Sequence, residues 1–180
     1  MGYKGSSGGA SYLKGMEAVM ANLNAQIKLI EGRSMKGLIM AAAHIRKETE
    51  SSPPLTPVDY GNLRSSWFVV TATGVPVGRG HSSFKGPNAG IMEQEHISTT
   101  AEQQGYVKSK SISKSKFLRM GYSANYAGFV HEMIGANFNP EKRKGRASRR
   151  EGAGPKWLEI HVNRNIGQIV KIVQKNAKIT

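Results

Sequence analysis

Histidines and carboxylates are the side chains best suited to moving protons near neutral pH, and this sequence scatters them. His44, His81, His96, His131 and His161 lie far apart, and none forms the i, i+4 pair by which a helix presents two imidazoles to zinc. His131-Glu132, beside a tyrosine-containing stretch, is the best acid–base pair, and a hydrolase would need a nucleophile brought next to it. Its ordinary reading is a helix residue in a packed interface. Asp59 is the only aspartate, and its Pro57-Val58-Asp59-Tyr60-Gly61 setting is that of a turn residue rather than a general base. Gly78-Arg79-Gly80 is too short for a phosphate-binding loop. With no cysteine, disulfides and thiolate metal sites are excluded. The expectation is a protein that is not an enzyme and uses no metal or cofactor.

The chemistry that does stand out is charge. The 180 residues carry a formal charge of +14, which calls for a polyanionic partner such as nucleic acid, an acidic protein surface or anionic lipid. Two segments concentrate it: Lys108, Lys110, Lys114 and Lys116, then Lys142, Arg143, Lys144, Arg146, Arg149 and Arg150. Both are poor in large apolar side chains and read as loops or edges that contact DNA phosphates or an acidic surface. No helix-turn-helix and no aromatic-interleaved platform accompanies them.

The elements that must carry these groups follow from periodicity. Tyr12, Leu13, Met16, Val19, Met20, Leu23, Ile27 and Ile30 recur at steps of three and four, predicting an amphipathic helix capped by Ser11. Gly32 marks a break or kink, and Ser34 caps a second helical stretch ending near Thr49. Residues 1–10 read as a flexible arm without a signal peptide, and 11–180 as a single domain. Apolar content of 38% with 21 glycines is low for a compact globule, so part of the chain is expected outside the core. No apolar run is long enough to span a membrane.

Pro53, Pro54 and Pro57 stop the helix, because proline lacks an N–H and clashes with the preceding turn. Asp59-Tyr60-Gly61-Asn62 then reads as a turn before a strand over 67–73. Residues 74–116 read as an insertion: a loop, a polar stretch, then a Lys/Ser alternation over 106–115 whose period of two predicts an edge strand or protruding hairpin. Residues 117–122 predict a core strand, and a short helix begins near Asn125. A basic loop over 135–154 leads to Pro155, which opens the last helix, with 160–162 helical or extended. The fold class is α+β: long N-terminal helices and a C-terminal helix packed on a small antiparallel sheet, with extended loops or a protruding hairpin.

The order of these features resembles the head–tail connector proteins of tailed bacteriophages, also called tail-completion or neck proteins. The resemblance covers roughly residues 35–173. It rests on Thr56-Pro57-Val58-Asp59-Tyr60-Gly61-Asn62-Leu63-Arg64-Ser65-Ser66-Trp67 after a long helix, on Tyr126-Ala127 with Phe129-Val130-His131-Glu132 after a strand, and on Pro155-Lys156-Trp157-Leu158 opening the final helix. Tyr60 stands where the family commonly has Thr, and Trp157 where it has Phe. The resemblance implies a non-enzymatic virion protein that forms a ring in the neck, assembled in the host cytoplasm. Six copies are implied first and twelve next. The implied partners are portal or adaptor proteins, tail terminator or tail tube proteins, and packaged DNA passing through the channel. Pro57, Asp59, Gly61, Asn62, Leu63 and Arg64 would form a corner motif and subunit contact, with Arg64 the first residue to test for a contact to a neighbouring subunit. The competing reading from charge alone is a basic nucleic-acid-binding protein outside any virion.

Overall fold

In the computed structural model, residues 8–58, 60–74, 83–111, 116–136, 138 and 150–178 are described. Helix α1 runs over Gly8–Ser51 without interruption. It absorbs the expected second helix and begins inside the stretch read as an arm, so Ser11 is not its cap. Once nucleated, a helix gains one hydrogen bond per residue added, and one internal glycine costs only about 1 kcal/mol. Gly32 therefore does not break it. At Ser52 the chain leaves the helix for the proline-rich segment, and Thr56 N–H returns to the Thr49 carbonyl at 2.9 Å.

A short helix α2 (Asn62–Ser65) leads into β1 (Trp67–Val70), which pairs antiparallel with β2 (Arg119–Tyr122); Trp67 stands opposite Tyr122 and Val70 opposite Arg119. These two strands are the whole sheet among the described residues. The β-branched and aromatic residues of β1 bury Trp67, Val69 and Val70.

Between the strands lies the main departure from expectation. Residues 89–111 form α3 (Ala89–Ser111), where the Lys/Ser alternation predicted an edge strand or hairpin. The serines and threonines close locally onto the helix: Thr100 Oγ1 donates to the His96 carbonyl at 2.7 Å and Ser109 Oγ to the Tyr106 carbonyl at 2.8 Å. The Glu, Gln, Ala and Lys residues of this stretch favour helix. Only Met92 and Val107 are buried on α3, which is too sparse for an apolar stripe to be seen in the sequence. α3 packs on both strands.

The chain then forms α4 (Ala127–Glu132), α5 (Trp157–Arg164) and α6 (Ile166–Ala177). The expected last helix is thus two helices joined at Asn165, and residues 160–162 are helical. α6 lies along α1, so closely that a Cβ on Gly37 would sit 2.9 Å from Val173 Cα. Leu63, Met92, Ala124, Ala127 and Trp157 form one buried cluster and Ala42, Trp67 and Val69 another, with Tyr122 and Leu158 packed against both. The α+β class holds: helices against a small antiparallel sheet. No described helix is long and apolar enough to cross a membrane.

Candidate functional site

The corner motif is built from α1 outward. Gly61 takes φ 86°, a left-handed conformation that glycine adopts without a Cβ clash, and this lets the chain turn directly into α2. Leu63 is buried in the first cluster. Asn62 clamps the approach to α3, its Nδ2 donating to the Lys85 carbonyl and its Oδ1 accepting from the Lys85 N–H, both at 2.8 Å. Pro57 is half-buried beside them. Asp59 lies outside the described residues.

Arg64 turns back onto α1. Its Nε sits 2.5 Å from Glu50 Oε2, which also accepts from Arg150 Nη1 at 2.7 Å. Arg46, one turn earlier, places Nη1 3.1 Å from Glu50 Oε1 and donates through Nη2 to the Arg64 carbonyl at 2.7 Å. Glu50 Oε1 is buried and has this ion-pair contact without hydrogen-bond geometry. Arg150 Nη2 also donates to the Glu50 backbone carbonyl. One partly buried carboxylate thus gathers three guanidiniums from α1, α2 and the segment before α5. Such charge-assisted bonds are stronger than neutral ones. Only the Arg46 pair has a local spacing; Arg64 and Arg150 lie too far along the chain for the sequence to link them to Glu50.

Tyr122 closes the corner from the sheet side. Its hydroxyl accepts from Arg46 Nη1 at 3.1 Å and lies 3.0 Å from Thr56 Oγ1. Its ring meets Trp67 and Trp157 edge-on at 5.2 and 5.8 Å. The Arg46 guanidinium lies 5.4 Å from the Trp67 ring centroid, within cation–π range. Buried His161 reaches the Pro54 carbonyl at 3.1 Å, and Leu55 bonds the backbone of Gly152 and Gly154. The proline segment is therefore held from α5 as well as from α1.

His131 and Glu132 do come together, with Nδ1 2.8 Å from Oε1. Glu132 also holds Lys156 Nζ at 2.5 Å, and Lys156 reaches Glu159 at 3.0 Å. The Lys156 hydrogen bond, followed by that of His131, holds the Glu132 carboxyl below its ordinary range. The same bond to Glu132 raises the Lys156 ammonium. The adjoining shallow groove of about 180 Å³ is lined by Tyr122, Ala127, Gly128, His131, Trp157 and Leu158. Among the described residues Tyr122 is its only hydroxyl, and that group is turned toward Arg46 and Thr56. Among the described residues no group of three or more His, Asp or Glu is placed to hold a metal ion.

A second histidine contact escaped the sequence reading: His96 Nδ1 lies 2.7 Å from Ser123 Oγ, with the His96 ring 5.8 Å from Phe84. Burial lowers the His96 pKa, against a smaller opposing effect of a hydrogen bond with the Ser66 backbone.

Among the described residues the basic groups do not converge. Lys108 and Lys110 are exposed in the last turn of α3, where cations suit the helix dipole. Lys116 pairs with Glu31 of α1 at 3.2 Å. Arg150 is taken up by Glu50 rather than offered to a partner. Lys114, Lys142, Arg143, Lys144, Arg146 and Arg149 lie outside the described residues. No family model, curated protein or solved structure matches this chain.

Proposed function

We propose that this chain is a structural subunit of the neck of a tailed phage. Copies close into a ring that joins the portal side of the head to the tail and completes the DNA channel. The observation that carries the reading is the corner at residues 57–64. It joins a 44-residue helix to the sheet through Gly61, Asn62, Leu63 and the Glu50 cluster, in the feature order of the neck family. A ring subunit has to keep its shape under assembly, and a junction tied from α1, α2, β2 and α5 suits that role. Six copies are proposed first, with twelve next. The partners are further copies, portal or adaptor proteins on one side, and terminator or tube proteins on the other. DNA passing through the channel would meet exposed lysines such as Lys108 and Lys110 without sequence readout.

The +14 charge favours a second reading, a nucleic-acid-binding protein outside any virion. Native mass spectrometry and duplex titration separate the two. The neck reading expects a closed ring with weak duplex affinity. A monomer whose duplex affinity falls steeply with salt, as counterion release demands, would support the second reading instead.

A further inference from the structure

The apolar face of α1 is covered over only part of its length. Taken in steps of three and four, Val19, Leu23, Ile27, Ile30, Ser34, Gly37, Ala41 and Ile45 trace one continuous stripe. Its C-terminal part is closed over: Gly37 against Val173 of α6, with Ala41 and Ile45 buried. α6 runs out near Arg33, whose Nη1 donates to the Lys178 carbonyl at 3.1 Å. Beyond that point the same stripe is bare. Val19 is 66% exposed, Met20 53%, Leu23 52% and Ile27 45%.

A second bare apolar surface lies at the other end of the molecule. Phe129 on α4 is 71% exposed and Ile134 just after it 77%. Leu23 and Arg46, the latter beside the Tyr122–Trp157 cluster that carries α4, are separated by roughly 35 Å along the helix axis at 1.5 Å per residue. The two surfaces therefore belong to opposite ends of α1. Both carry little charge in a chain of +14: 18–27 holds no acidic or basic residue, and Glu132, between Phe129 and Ile134, is neutralised by Lys156. Copies that repel elsewhere repel least where these stretches face each other.

We infer that the bare stretch of α1 over residues 19–27 is an arm whose occupant is a second copy of this chain: the Val19–Leu23–Ile27 stripe of one copy seats against Phe129 and Ile134 of the next. Two unlike surfaces at opposite ends make the contact head-to-tail, the kind that closes rings when its rotation permits. This contact rests on the ring reading above and specifies how the ring is held.

The chain has no native cysteine, so engineered thiols give an unambiguous readout. Leu23→Cys combined with Phe129→Cys, oxidised as the full chain and run without reductant, is expected to give a ladder extending past the dimer to ring size. Leu23→Cys alone is expected to stay uncrosslinked. Leu23→Asp is expected to abolish the ring while circular dichroism keeps its helical signal. A ring that survives Leu23→Asp, or that gives no crosslink in the double variant, overturns this contact and leaves the ring reading standing. Dimers from Leu23→Cys alone overturn it in favour of arm-to-arm pairing. A wild-type chain that is monomeric at all concentrations contradicts both.

Discussion

Glu50 is the residue on which the corner depends most. It balances Arg46, Arg64 and Arg150 from a partly buried position, and removing it leaves three guanidiniums facing one another. Hydrogen bonds to charged groups contribute roughly 1.5–3 kcal/mol each to stability, while partial exposure weakens them. Glu50→Ala is expected to cost about 2 kcal/mol, which for a chain of this size lowers Tm by roughly 4–8 °C. Differential scanning calorimetry checks this, and an unchanged Tm would show that the cluster is only a surface network. His96 supplies the pH-dependent counterpart. Burial depresses its folded pKa below the ordinary value of about 6.5, so the unfolded chain takes up its proton first as pH falls. Its contribution is complete above about pH 6.5 and declines as pH drops toward the folded pKa. Tm should therefore fall less between pH 7 and pH 5 in His96→Gln than in the wild type. Parallel Tm curves for the two proteins would contradict this.

At the scale of elements, the α1–α6 contact sets how far the two helices approach. Gly37→Ala would raise helix propensity, yet its methyl group would press on Val173 Cα. The steric effect should win, because overpacking costs typically 1–3 kcal/mol against about 1 kcal/mol of propensity gained. The expected result is a lower midpoint in urea, and a higher midpoint would mean that α6 moves aside freely. The legibility of the sequence follows the same physics. α1 and β1 carry strong apolar periods or dense β-branched runs, so Leu23, Ile45 and Val69 announce their elements. The turn at Gly61 was legible because only local chemistry decides it. α3 was hidden because Met92 and Val107 are its only buried residues, and its serines mimic a strand period while bonding within the helix. The Glu50 cluster was hidden for another reason: it depends on chain segments far apart in sequence. The pairing of Arg64 with Glu50 was hidden in the same way, and the Arg64 side chain stays partly exposed.

Over the whole molecule, the proposed role sets apolar contacts between copies against a large like charge. Raising salt from 0.15 M to 1 M shortens the screening length from about 8 Å to 3 Å and relieves repulsion between subunits. The ring is therefore expected to persist or strengthen with salt, while any duplex complex weakens. Analytical ultracentrifugation across that salt series checks both signs, and a ring that dissolves at high salt would mean that charge, not α1, holds it. The proposed role is a place in a particle. The most direct measurement is electron microscopy of purified phage particles carrying this chain, labelled with an antibody against it. Label is expected to be confined to the head–tail junction. Label on the capsid shell or tail fibre, or none on intact particles, would contradict it.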